Sequence, residues 1–290
     1  MKSAFFILSI ILSSQALAQT HVIYGTDDRK DLYAVTNPMY VKMTDSTVAL
    51  MQASDLSQNS SGVIDINAQT FQALMQVCTS ERFYDQPSGA FCSGTLIGKN
   101  LILTAGHCIT DADSCASTKF VFGYHIYKAG KYPTSAPESE VYGCKSIIHR
   151  EQNDTGADFG IIETDRDVTG HAPLALNTNR VNSTIAKGAK LLMIGHPSGL
   201  PTKLDDGGLV RNPSPDGFFV ATTDSYGGNS GSGVFNQDKG TLEGVLVRGE
   251  NDFNYDEKQG CYVSNVCPET GCRGEDVTKV ASIIPFVPKH

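Results

Sequence analysis

The chain has 290 residues, 40% hydrophobic and 19% charged, with 31 acidic against 23 basic side chains and a formal net charge of −8. An acidic chain without a basic cluster is not built to hold a nucleic-acid backbone. Beyond the first residues no segment approaches the ~20 uninterrupted apolar positions of a membrane span, so neither nucleic acid nor, once a leader is removed, a membrane is expected as a partner.

Lys2 supplies a positive start, Ala4 to Leu12 is almost wholly apolar, and Ala16-Leu17-Ala18 is a small-x-small cleavage site. This pattern predicts a signal peptide over 1–18 and export, extracellular or periplasmic. Residues 19–290 then form one domain, with room for a short propeptide over 19–21. All eight cysteines follow the leader, where an oxidising compartment permits disulfides. Ser54 to Ser61 is polar and reads as a solvated loop, and Ala68 to Cys78 reads as one helix before the first barrel-type run of strands. Short apolar runs with turn residues between them follow: Phe91 to Ile97, Leu101 to Thr104, Phe120 to Tyr124, Val141 to Ile148 and Phe159 to Glu163. A stretch rich in Asn and Thr over 169–186 separates these from Leu191 to Gly195, Phe218 to Thr222, Gly233 to Phe235 and Leu242 to Arg248. Many short strands with scarce helical periodicity indicate an all-β fold. Asp276 reads as the N-cap of a closing helix, with Val277, Val280, Ala281 and Ile284 on one face. Asn59-Ser60-Ser61, Asn153-Asp154-Thr155 and Asn182-Ser183-Thr184 fit the glycosylation triplet.

Two segments carry chemistry. Leu101-Ile102-Leu103 runs into Thr104-Ala105-Gly106-His107-Cys108, which puts a histidine at a strand end. Far downstream, Asp224-Ser225-Tyr226-Gly227-Gly228-Asn229-Ser230-Gly231-Ser232 sets a serine between glycines, where backbone N–H groups can approach a substrate. Together they resemble the chymotrypsin-like serine peptidases. The resemblance implies two packed antiparallel β-barrels meeting near 169–186, and a short C-terminal helix closes the chain. It also implies protein or peptide substrates, no cofactor and no metal. His107 is then the general base and Ser230 the nucleophile, because a serine hydroxyl needs an adjacent base at neutral pH. In the family order the acid lies between them. Asp158 opens Asp158-Phe159-Gly160-Ile161-Ile162 and takes that place, ahead of Asp154, Asp165 and Asp167, which read as turn charges. The N–H groups of Gly228 and Ser230 would form the oxyanion hole. The α/β-hydrolase alternative fails, because Ser232 replaces the glycine of Gly-x-Ser-x-Gly and the histidine precedes the serine. His125, His149, His171 and His196 lack such context, while His21 and His290 lie near the ends.

The resemblance also implies a bridge between Cys92 and Cys108 around the histidine. The other six cysteines allow 15 pairings. Cys115 and Cys144 flank one loop-strand-loop stretch, and one of Cys261, Cys267 and Cys272 is expected to reach back to Cys78. No C-x₂-C pair and no neighbouring histidine supports zinc there.

Within the family, Asp224 to Ser232 and Val22-Ile23-Tyr24-Gly25-Thr26-Asp27-Asp28-Arg29 look similar to the bacterial glutamyl endopeptidase branch. Leu246 stands where that branch carries a substrate-binding histidine, so a strict glutamate preference is not expected. Asp224, six residues before Ser230, is placed as a substrate-binding acid that favours a basic residue. Arg248 is placed either against an acidic substrate or in a structural ion pair with Asp224 or Glu250. Asn229 replaces the aspartate that receives a new N-terminus in trypsin-type zymogens. Two other readings remain: a peptidase-like binding protein that has lost catalysis, and an esterase on the same fold.

Overall fold

The computed structural model describes residues 22–174, 176 and 185–288. The leader over 1–18, the 19–21 propeptide, the Asn182 triplet, His21 and His290 lie outside them. Six strands, Thr47–Gln52, Cys92–Gly98, Leu101–Thr104, Thr118–Val121, Val141–Gln152 and Asp158–Thr164, close into an antiparallel barrel. Eight more, Arg29–Asp31, Leu191–Gly195, Lys203–Asp205, Val210–Asn212, Phe218–Ala221, Gly233–Asn236, Thr241–Arg248 and Glu275–Lys279, form a second antiparallel sheet, a half-barrel. The all-β class read from the sequence is the class the chain adopts.

The barrel strands read as continuous apolar runs because both of their faces are covered. Leu96, Ile102, Phe120 and Phe159 share one buried cluster with Leu192, Ile194, Phe235 and Val245 of the second sheet. Inner faces of two packed sheets interdigitate in this way. The last barrel strand ends at Thr164, and the next strand of the second sheet is Leu191–Gly195.

Three local expectations need correction, and one strand is unannounced in the sequence. Thr47–Gln52 contains Ala49, Leu50 and Met51, which are good helix formers. Its pairing with Cys92–Gly98 on one side and Thr118–Val121 on the other decides the matter. The helix expected over Ala68 to Cys78 shrinks to Phe71–Met75 and follows that first barrel strand. Gln76 ends it in the left-handed region (φ 55°), and Val77 bridges to Tyr262. Part of the polar 54–61 loop is a strand, Leu56–Gln58, paired with Val63–Ile66. Asp276 is not an N-cap either: Glu275–Lys279 lies between Phe218–Ala221 and Thr241–Arg248, and the closing helix starts at Val280 and ends at Ile283. Sheet register here overrides a sequence that is amphipathic at helical spacing.

Cys92 is bonded to Cys108, Cys115 to Cys144, Cys78 to Cys261 and Cys267 to Cys272. Among the described residues no helix is long and apolar enough to cross a membrane.

Where the barrel hands over to the second sheet, His171 bridges two acids. Its Nδ1 lies 2.9 Å from Asp45 Oδ1 and its Nε2 2.6 Å from Glu140 Oε2, with the ring stacked on Phe122. Burial works against the imidazolium, but Glu140 and then Asp45 outweigh it, so His171 titrates above its ordinary value. A group raised on folding gives stability that is complete below its unfolded pKa, about 6.5, and is lost as pH rises through the folded one. His171→Gln should therefore destabilise the protein more at pH 5.5 than at pH 8.5 in urea unfolding. An equal loss at both values would sink this account.

Candidate active site

The strand Leu101–Thr104 ends just short of His107, and the ring reaches the start of the neighbouring Asp158–Thr164 strand. His107 Nδ1 donates to Asp158 Oδ2 at 2.8 Å. Asp158 Oδ1 accepts from the backbone N–H of Gly106 at 2.7 Å and of His107 at 3.3 Å. The carboxylate is thus held from two directions and is 1% exposed. A base oriented in this manner keeps its other ring nitrogen for a nucleophile. The acid is also fixed from the second sheet: its N–H donates to Thr278 Oγ1 at 3.0 Å, and the Thr278 hydroxyl donates to the Asp158 carbonyl at 2.8 Å.

Ser230 is brought to the same seam by backbone contacts. The N–H of Ser93 donates to its carbonyl at 2.8 Å, and Cys92, next to Ser93, is bonded to Cys108, next to His107. On the other side, Gly231 N–H donates to Leu246 carbonyl at 2.8 Å, so the serine loop is tied to the strand Thr241–Arg248. Glycine is required twice here. Gly231 and Gly228 both have φ of +90°. A Cβ on Gly231 would lie 2.0 Å from the Ser93 carbonyl oxygen, and one on Gly228 would lie 2.8 Å from that of His196. The turn before Ser230 is fixed by Asn229, whose Nδ2 donates to Ser225 Oγ and whose Oδ1 accepts from Ser232 Oγ.

The rival acids behave as surface charges. Asp165 accepts from Gly143 N–H and pairs with Arg166, Asp167 pairs with Lys99, and Asp154 is exposed. His125 and His196 are buried and donate or accept locally, to Thr202 Oγ1 and the Leu200 carbonyl. Burial pushes them down to about 4 and about 3, which keeps both rings neutral. His149 stacks on Phe286. The one grouping of possible metal ligands among the described residues is Cys92, His107 and Cys108, and both sulfurs are consumed by the disulfide.

The two substrate-binding expectations need correction. Asp224 does not present its carboxylate to a pocket: Oδ1 accepts from Tyr24 N–H at 2.7 Å and Oδ2 from Asp28 N–H at 2.8 Å. It is 2% exposed, and burial raises its carboxyl to about 7. Asp205 lies beside it, accepts its N–H, and is itself raised by burial and by the Asp224 charge. Asp224 therefore anchors the segment 22–28. Arg29, which follows, is buried over the Tyr226 ring and bonded to Asp27 and the Tyr226 hydroxyl. Arg248 pairs with neither Asp224 nor Glu250. Its Nε donates to Asp276 Oδ2 at 3.1 Å, and its two Nη atoms donate to the carbonyls of Asn153 and Gly156. Leu246 is fully buried.

Sequence reasoning missed Ser93, whose Oγ donates to the Gly228 carbonyl at 2.9 Å and accepts from His196 N–H. It also missed Thr278. Neither residue carries a local signal, because each acts through partners about a hundred positions away.

With this geometry in hand, comparisons place the chain. The sequence model of the trypsin-like peptidase domain matches residues 92–245, over half of the chain, and the protein belongs to that family: it is a serine endopeptidase. A solved Glu endopeptidase in complex with MPD is similar in fold, with a TM-score of 0.51 and 18% identity, covering 91% of this chain and 97% of that one. A serine endoprotease from Yersinia pestis gives a TM-score of 0.49 and 16% identity, covering 87% of this chain and 65% of that one. No curated protein sequence matches the chain.

Proposed function

We propose that the protein is an exported serine endopeptidase that cleaves peptide bonds through an acyl-enzyme. The contact that carries this reading is the 2.8 Å hydrogen bond from His107 Nδ1 to the buried Asp158. His107 takes the Ser230 proton as the hydroxyl attacks the carbonyl, then returns it to the leaving amine. Asp158 fixes the tautomer and stabilises the imidazolium, and the Gly228 and Ser230 N–H groups receive the oxyanion. Four disulfides fit an oxidising compartment and support export of the chain after removal of the leader. Labelling with a serine-directed phosphonate tests the assignment: a stoichiometric adduct on Ser230, absent in Ser230→Ala, is expected. A folded protein that takes no label would instead be a peptidase-like binder.

For the residue before the cut, the glutamyl branch gives only a partial precedent. Leu246 offers no positive or polar group, and Arg248 is spent on Asp276 and the 153–156 turn. Asp252 Oδ2 accepts from Gly227 N–H at 2.9 Å and is held by the serine loop. A strict glutamate preference is therefore not expected. With Asp224 committed to the 22–28 segment, its replacement by serine should lower stability without changing the order of preference. A peptide library varied at this one position reads both outcomes. Exclusive cleavage after glutamate, or an Arg and Lys preference that vanishes in Asp224→Ser, would overturn the reading.

A further inference from the structure

Arg248 stands between two structures that have no other link in sequence. Its Nη1 lies 3.9 Å from Asp158 Oδ2, the same oxygen that accepts from His107. The guanidinium also donates to the carbonyls of Asn153 and Gly156, at 2.9 and 2.8 Å. Those residues form the turn that delivers the chain to Asp158. The ring of Phe218 lies beneath, 5.4 Å from the guanidinium carbon.

An ordinary ion pair with Asp276 does not account for this arrangement. Asp276 already has a second cation, Arg273, at 2.7 Å. A pair on its own needs no contacts to the 153–156 turn, and a planar fork with several donors is what distinguishes arginine from lysine at such a place. Among the described residues, His107 apart, the other charged groups around the site make no ion pair with Asp158 that matches the 3.9 Å approach of Arg248. Arg150 Nε donates to the Gly106 carbonyl, while Glu151 and Asp216 line the outer cleft behind the turn.

We propose that Arg248 is a positioning residue for Asp158: its fork fixes the turn before the acid, and its charge biases the His107–Asp158 couple. The assignment rests on the proposed triad. Removing a cation beside that couple favours the protonated imidazole, so the base is blocked up to a higher pH. Loosening the turn also weakens the orientation of the ring. Neither effect touches ground-state binding of substrate.

Arg248→Gln is expected to lower kcat about tenfold with KM unchanged, since small misplacements of a catalytic group cost rate rather than binding. The acidic limb of its kcat/KM profile should move up by roughly half to one pH unit, the range for a nearby charge partly offset by Asp276. Arg248→Lys keeps the charge without the fork. It should restore the limb to the wild-type midpoint while kcat stays reduced about threefold or more, as expected of a lost bidentate geometry. The downfield proton resonance of His107 Nδ1–H, titrated in the same proteins, gives a readout that does not need turnover. An unlabelled wild type in the phosphonate assay sinks the triad reading, whereas an Arg248→Gln resonance that titrates as in wild type sinks this one. If Arg248→Gln does not fold, Arg248→Lys decides: a wild-type kcat overturns the positioning role, and a reduced kcat with an unmoved limb supports it.

Discussion

Ser230→Ala should lower kcat by about 10⁵- to 10⁶-fold, the scale on which losing the nucleophile of a serine–histidine pair is felt. With the hydroxyl as the proposed attacking group, no neighbouring side chain substitutes for it. The backbone N–H groups of Gly228 and Ser230 survive the change, and with bound substrate they should leave a residual acceleration over water. His107→Ala should cost about as much alone as together with Ser230→Ala, because base and nucleophile act as one unit. The fold should survive, since Ser230 and Gly231 are tied to Ser93 and Leu246 through their backbones, which the change leaves in place. Peptide turnover measured beside thermal unfolding separates the two. A folded Ser230→Ala protein with near-normal turnover would falsify the nucleophile assignment.

The second large effect is on stability. Cys78 and Cys261 are 183 positions apart, and their bond joins the segment after the helix Phe71–Met75 to the hairpin built on Phe253–Asp256 and Cys261–Ser264. Around it the Cys78 N–H donates to the Tyr262 carbonyl at 2.9 Å, and the Tyr262 N–H to that of Gln76 at 3.0 Å. Replacing both cysteines by serine should cost about 4–5 kcal/mol on a chain-entropy estimate, because the bond closes most of the chain into one loop. In a protein of this size that is a fall in Tm of roughly 10 °C or more. Opening Cys267–Cys272, with a separation of only 5, should cost about half as much on the same estimate. Guanidinium unfolding of both double variants gives the comparison, and an equal loss would contradict the loop-length argument.

The core of the site was legible because each half is encoded by contiguous residues. Thr104 to Cys108 and Gly227 to Ser232 each set the candidate base or nucleophile beside its glycine in one short run, and Asp158 announces itself as a polar residue at the head of an apolar strand. What escaped depends on register between distant strands. Thr278 meets Asp158 only because Glu275–Lys279 pairs with Thr241–Arg248, and the helical spacing of the same residues pointed the other way. Asp224 shows a different limit. Its distance from Ser230 is the one expected of a substrate-binding acid, but spacing does not give direction. The segment from Tyr24 to Asp28, nearly 200 positions upstream, supplies the N–H groups that turn its carboxylate away.

That long-range stitching bears on how the chain is made. Residues 47–164 contain every strand of the closed barrel, so this half can condense while the rest is still being synthesised. The opening strands have no such early strand partner. Ile23 and Tyr24 pair with Val266 and Cys267, and Arg29–Asp31 with Lys203–Asp205, so they wait for strands of the second half of the chain, although Arg82 can already reach the carbonyls of Asp27 and Arg29. At ~5–20 residues per second the wait lasts on the order of ten seconds or more, and pairing across such separations is slow even afterwards. Asp158 in turn lacks its Thr278 anchor until the final stretch has arrived. From residue 158 to residue 278 a nascent chain therefore carries His107 and Asp158 without the second-sheet contacts that complete their support. The order of assembly itself delays any cutting until the polypeptide is finished.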